Sequence, residues 1–160
     1  MIIRRAIEKD YDSIWEIFRI VIKTGDTYVF NPATQEKDLK KHWFAPYMHT
    51  YVLEDQNIIY GTYILKPNQI DLGSHVANGS YMVHPDARRK GYGEAMCKHS
   101  IEEATRLGYK AIQFNMIVST NSPAIALWKK MGFDIIGTIP GGFRHLSKGF
   151  VDAYIMFRKL

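Results

Sequence analysis

One segment constrains the fold more than any other: the stretch from His75 to Ile139, which alternates strand and helix without a break. "HVANGSYMV" (75–83) has the β-branched and aromatic content of a strand. A helix follows over 91–107 and stops at Gly108. "KAIQFNMIV" (110–118) is a second strand, apolar enough to be buried on both faces. "SPAIALWKKM" (122–131) is a helix, with Ser122 as its cap, Pro123 in its first turn and Gly132 at its left-handed end. "FDIIGTI" (133–139) is a third strand. Strands separated by helices cannot form hairpins. Their order calls for a parallel pairing at the centre of the sheet, with a helix as crossover.

The rest of the chain adds antiparallel material. "MIIRRAI" is a first strand. A helix over 9–25 places Ile14, Ile17, Phe18, Val21 and Ile22 on one stripe and ends at Gly25. After the loop "DTYVFNPAT", a short helix over 34–44 opens at Thr34 and ends before Pro46. "TYVLE" and "NIIYGTYILK" form a hairpin turning at Asp55-Gln56. "FVDAYIMFRKL" closes the chain, with "PGGFRHLSKG" (140–149) as the connection before it. The order β-α-α-β-β-β-α-β-α-β-β predicts an α/β protein. Its architecture is an α+β mixed sheet of about seven strands flanked by about four helices, within one domain spanning 1–160.

Composition excludes several classes. No apolar run reaches the ~18 residues that cross a bilayer, and the N-terminus lacks a signal-peptide pattern, so no membrane partner and a cytoplasmic location are expected. The formal charge is +5, but no basic run is interleaved with aromatics, so nucleic acid is not the expected partner. The single cysteine, Cys97, falls inside a helix and reads as a small buried thiol. The six histidines show no HxH or HExxH spacing, and no metal site is expected.

The chemistry concentrates in "YMVHPDARRKGYGEA" (81–95). Arg88, Arg89 and Lys90 stand directly before Gly91-Tyr92-Gly93, where a strand passes into a helix. A helix head presents backbone N–H groups without internal partners and the positive end of the macrodipole. Glycines at 91 and 93 let a ligand approach the main chain. Such a joint suits phosphate, and a pyrophosphate above all. The sequence lacks GxxxxGK[ST], and the sixth position of a GxGxxG reading is Met96, so neither familiar nucleotide loop is present.

The pattern Arg88-x-x-Gly91-x-Gly93 resembles the Arg/Gln-x-x-Gly-x-Gly/Ala signature of the GNAT superfamily of N-acetyltransferases. A second match follows. "NSPAIALWKKMGF" is similar to the family's Asn-x-x-Ala-x-x-Leu-Tyr-x-x-x-Gly-Phe segment, with Asn121, Ala124, Leu127, Gly132 and Phe133 in register. The element order fits the family fold along the whole chain. The resemblance implies acetyl-CoA (coenzyme A) as cofactor, held by Met82, Val83, Arg88, Arg89, Lys90, Gly91, Tyr92, Gly93, Glu94, Asn121, Ala124 and Trp128. Within that set, the backbone at Met82 and Val83 would pair with the pantetheine arm in a gap between strands 81–84 and 112–117. The loop at 88–93 would cradle the pyrophosphate, and Asn121 would bond the pantetheine.

Acetyl transfer to an amine also needs the carbonyl oxygen stabilised and the reactants aligned. The backbone N–H near Val83 is the expected oxyanion donor. Asn78 and Asn115 are expected to hold the reactants at the catalytic centre, Asn115 through an amide buried on its strand. Thr27, Tyr28 and Phe30, with Asn78, form the expected wall for the acceptor. Candidate bases are His75, His84, Glu54 and Asp71. One departure is clear: Trp128 stands where many members carry a tyrosine acid. An indole cannot release its proton, which leaves Tyr92, Tyr81, water or no acid for the departing thiolate.

A finer resemblance joins "DTYVFNPATQEKDLKKHW" and "GFVDAYIMFRKL" to phosphinothricin-type acetyltransferases, and "FNMIVSTNSPAIALW" to fungal acetyltransferases of proline analogues. It implies a small-molecule amine as substrate and partner, an amino acid or analogue acetylated by direct attack in a ternary complex. The assembly it allows is a homodimer. The competing readings are a non-catalytic acyl-CoA-binding module and an acetyltransferase of protein N-termini or lysines.

Overall fold

The computed structural model describes Met1–Leu160 and is built on one seven-stranded sheet of order β1-β2-β3-β4-β5-β7-β6. The strands are β1 Ile2–Arg5, β2 His49–Asp55, β3 Ile58–Pro67, β4 Val76–Val83, β5 Ala111–Val118, β6 Asp134–His145 and β7 Gly149–Lys159. The helices are α1 Tyr11–Lys23, α2 Leu39–Trp43, α3 Tyr92–Arg106 and α4 Ser122–Lys130. Only β4 and β5 pair in parallel, and α3 is the crossover that joins them. No helix is long and apolar enough to cross a membrane.

Helices cover both faces. The stripe Ile14, Ile17, Phe18, Val21 and Ile22 of α1 is buried together with Leu39 and Trp43 of α2 against Val52, Ile64 and Met82. On the opposite face, Met96, Cys97 and Ala104 of α3 and Trp128 of α4 pack on Tyr51, Tyr63, Ile112, Phe114 and Met156. The alternation along β4 follows: Met82 faces α1, while Tyr81 faces α3, where its hydroxyl meets Ser100 Oγ at 2.7 Å. Burial lifts the Cys97 thiol to about 12, so it is an inert core residue.

Several local expectations are corrected. The β2–β3 turn is Gln56-Asn57, both with positive φ (50° and 62°). That is one residue later than Asp55-Gln56, because both centre positions of this tight turn must be left-handed. The second helix is shorter than 34–44. Thr34 bonds back to the Asn31 carbonyl at 2.5 Å, and a 3₁₀ turn at Glu36–Asp38 leads into α2. Asn121 caps α4, accepting from Ala124 N at 3.4 Å, with Ser122 already inside the helix.

The largest correction concerns β6, which continues to His145 through what reads as a loop. Register slips between Ile139 and Phe143, and this bulge absorbs Pro140-Gly141-Gly142. Gly141 has φ +57° and donates its N–H to Asp152 at 2.9 Å. Such a bulge bends the strand. Beyond it, Phe143 and His145 are buried, and Leu146 N reaches the Gly25 carbonyl at 3.1 Å. The β6–β7 hairpin is thereby tied to the loop after α1.

Candidate active site

The site begins where the sheet comes apart. β4 and β5 pair only from Val76–Asn78 to Ala111–Gln113. Beyond Asn78, β4 keeps β3 on one side but has no strand on the other. A bulge in β5 between Phe114 and Ile117 accompanies its departure towards β7. The result is a wedge open at the end of β4 that leads into the basic loop.

The edge facing this wedge follows from hydrogen-bond alternation. His84 N donates to Tyr60 O of β3 at 2.8 Å, so Met82, two residues back, also spends its backbone on β3. The expectation that Met82 offers its main chain to the cofactor is corrected by this pairing. Tyr81 and Val83 are the residues whose amides point into the wedge. Tyr81 is met there by Tyr28, whose hydroxyl accepts from Tyr81 N at 3.0 Å and donates to Tyr81 O. Burial raises the Tyr28 phenol well above its ordinary value, so it keeps the proton it donates. Val83 is the next such residue towards the loop, and no strand lies opposite it.

Trp128 stands in the wedge between Tyr81 and Phe114, with ring centroids at 5.0 and 4.7 Å. It is 7% exposed and its indole N–H has no partner. Trp43 shows the normal arrangement, donating to Thr62 Oγ1 at 2.9 Å. An orphaned buried donor costs about 1–3 kcal/mol, and a ligand acceptor in the wedge would relieve it.

Past Pro85–Ala87 the chain reaches the head of α3. Arg89 (φ +65°) and Gly91 (φ +79°) are both left-handed, and Gly91 caps α3 without any side-chain hydrogen bond. The N–H groups that open the helix, at Tyr92, Gly93 and Glu94, are therefore left to solvent or ligand. A Cβ on Gly91 would meet nothing within 4 Å; this glycine answers to φ and leaves open space. Gly93 differs, since its Cβ would come 3.3 Å from Leu127. Its small size lets α3 pack on α4. Arg88, Arg89 and Lys90 are exposed around the helix head, with Lys90 Nζ 5.2 Å from the Tyr60 ring centre. The Glu94 side chain points away to Lys130 and Lys98 at 2.7 and 2.9 Å, so only its backbone serves this site. These features fit a thioester ligand with a diphosphate tail: a bare strand edge, an orphan donor beside it, and a basic, uncapped helix head beyond.

Other expected residues distribute unevenly. Asn78 is buried at the closed end of the wedge and donates to Gln113 O at 2.9 Å. Asn115 is not buried, because the β5 bulge turns it out to solvent, where it bonds Asn68 at 2.7 Å and Gln113 at 2.9 Å. Asn121 is a helix cap whose Nδ2 stays free, and Ala124 lies in the first turn it caps. Tyr28 reaches the wedge, whereas Phe30 packs on Phe18 and His42 at 5.0 and 4.7 Å. Thr27 is half-buried beside them.

The acid and base candidates thin out. The Tyr92 hydroxyl is held by Asp55 at 2.7 Å, which lifts it to about 12, and it lies at the end of β2, away from the wedge. Tyr81 is turned to Ser100, and burial raises it further. Glu54 is bound by Arg4 at 2.7 Å. Asp71 and His75 precede β4, at its closed end. His84 alone adjoins the open end, and its Nδ1 accepts from Asp86 N at 3.3 Å.

With this geometry in view, the wedge and basic helix head define an acyl-CoA transferase type of site. Residues 8–133 match the model of the Acetyltransferase (GNAT) family. A GCN5-related N-acetyltransferase from Kribbella flavida superposes with a TM-score of 0.93 at 36% identity, covering 99% of this chain and 97% of that one. N-acetyltransferase aca1 of Schizosaccharomyces pombe is 34% identical over 112 residues, 69% of this chain and 54% of the relative. The [Ribosomal protein bS18]-alanine N-acetyltransferase of Escherichia coli is 35% identical over 74 residues, 46% of this chain and 49% of the relative. The chain thus spans about half the length of these two relatives. The chain belongs to the Acetyltransferase (GNAT) family.

Proposed function

We propose that the protein transfers the acetyl group of acetyl-CoA to the amine of a small molecule, an amino acid or analogue, by direct attack while both reactants are bound. Three observations carry this reading together: the β4 edge left unpaired at Val83, the partnerless Trp128 N–H packed beside Tyr81, and the uncapped helix head at 91–94 that follows β4. Arg88, Arg89, Lys90 and the amides of Gly91 to Glu94 would hold the diphosphate, and Asn121 and Trp128 would flank the pantetheine. When bound, the cofactor supplies an activated acyl carbon joined to a good leaving thiolate. The Val83 N–H, on the unpaired edge of β4, would donate to the acyl oxygen as negative charge grows there, and a prepositioned donor is worth about 3–4 kcal/mol in such sites. Trp128 contributes a hydrogen bond, not a proton. Asn78 spends its Nδ2 on the Gln113 carbonyl and fixes the closed end of the wedge, leaving only its Oδ1 for a ligand.

The acceptor wall favours a small substrate. The loop at 26–32 is latched to β4 through Tyr28, and its start is tied to the β6–β7 hairpin through Gly25 and Leu146, which narrows the approach. The bS18-alanine enzyme supports a second reading, an α-amine at a protein N-terminus. One screen separates them. Purified protein with acetyl-CoA is offered free amino acids, amino-acid analogues and Ala-initiated peptides, and thiol release is followed with product mass. Turnover of free amino acids at kcat/KM well above any peptide supports the proposal. Peptide-only turnover sinks the small-molecule reading, and binding of acetyl-CoA without any transfer sinks both.

A further inference from the structure

Eight arginines occur in the chain. Five have partners: Arg4 on Asp10 and Glu54, Arg5 on His49, Arg19 on Glu16, Arg106 on Glu103, and Arg158 on the Met131 carbonyl. Arg88, Arg89 and Arg144 have none. Two of these flank the helix head discussed above. The third, Arg144, lies on β6 beyond the Pro140-Gly141-Gly142 bulge, exposed on the wall of a groove of about 640 Å³.

That groove runs between the loop after α1 and the β6–β7 hairpin, and Tyr28, Phe30 and Phe143 supply its aromatic surface. Arg144 is the one charged residue among those lining it, and no carboxylate does so. Tyr28 links the groove to the reaction centre, since its hydroxyl is bonded to Tyr81 on the wedge-facing edge of β4. Both walls are fixed. Leu146 N bonds Gly25 O at 3.1 Å, and Gly25 (φ +61°) leaves no room for a Cβ, which would lie 2.2 Å from the Leu146 side chain. An unpaired guanidinium in an aromatic-walled groove is matched to a planar anion that it can grip with two parallel hydrogen bonds.

We propose that Arg144 binds the carboxylate of the acceptor and so selects amino acids over amines that lack an acid group. This rests on the small-molecule reading above and adds the residue that enforces it. Arg144 acts here as a specificity residue, with no part in the chemical step.

The test pairs each α-amino acid acceptor with its α-amino amide, in which the negative charge is gone and the amine is kept. Wild-type protein should prefer the acid over the amide in kcat/KM. Arg144→Gln should raise KM for the acids roughly 10–100-fold, the scale of a charge-assisted pair, with kcat within about threefold. It should leave the amides unaffected and so erase the preference. Arg144→Lys should restore part of it. Coenzyme A affinity and melting temperature should not move, because the side chain is exposed and bonded to nothing in the protein. An acid-to-amide preference that survives in Arg144→Gln overturns the inference and leaves the function standing. A wild-type protein that acetylates no free amine overturns both.

Discussion

Replacing Gly91 with Glu separates the claim that the head of α3 holds a diphosphate from any general effect on folding. Gly91 has φ +79°, and a Cβ built there meets nothing within 4 Å. A side chain therefore costs only the left-handed backbone, about 1–2 kcal/mol, or a melting temperature lower by about 2–8 °C in a chain of this size. Gly91→Ala carries that same cost with no charge. In Gly91→Glu a carboxylate would stand about 5 Å from two phosphate charges. With an effective dielectric of about 40 at an exposed rim, the repulsion is about 3 kcal/mol, or roughly 150-fold in affinity. Isothermal titration with coenzyme A measures it. Both variants should melt alike, Gly91→Ala should bind within about fivefold of wild type, and Gly91→Glu should be more than a hundredfold weaker, by a gap that narrows in high salt. Equal affinity in the two variants would refute the reasoning, since only the charge distinguishes them.

Trp128→Phe should keep the rate within about tenfold, because the indole transfers no proton. It should bind acetyl-CoA less tightly, and the unliganded protein should lose less stability than an ordinary buried Trp→Phe change, since it also loses an orphaned donor. Stopped-flow kinetics and thermal melts in both states check this. Tyr28→Phe removes both bonds to Tyr81 and should raise acceptor KM several-fold with coenzyme A affinity unchanged, read by steady-state kinetics and titration. Glu103 is held down to about 2 by the Arg106 guanidinium, with help from the Tyr51 hydroxyl against the opposing effect of burial. Its contribution is full above pH about 4.5 and lost as pH falls towards 2. Urea melts should therefore find Glu103→Gln less stable than wild type at pH 7, with the difference vanishing near pH 2.

Local periodicity made much of the fold legible. The stripe Ile14, Ile17, Phe18, Val21 and Ile22 names a face of α1 that is buried along its length, and the strand–helix–strand order from 75 to 118 forces the one parallel pair. What stayed hidden depends on bulges and on contacts between distant residues. Pro140-Gly141-Gly142 carries every mark of a loop, yet a bulge absorbs it within β6 and brings Arg144 to the groove lined by Tyr28 and Phe143. Asn115 sits in an apolar run that reads as buried, but it falls in the bulge of β5 and turns outward. The Tyr28–Tyr81 latch joins residues 53 apart, and no local pattern announces it. The helix head was readable because its parts lie in one short stretch; that Gly93 serves packing against Leu127 needed coordinates.

The most direct measurement of the central claim is a crystal structure with acetyl-CoA bound. The diphosphate should lie on the main-chain amides of residues 91–94 with Arg88 or Arg89 closing over it, and the thioester should reach the Val83 N–H with the Trp128 indole beside it. A nucleotide bound elsewhere, with the start of α3 bare and the β4 edge unpaired, would contradict the account.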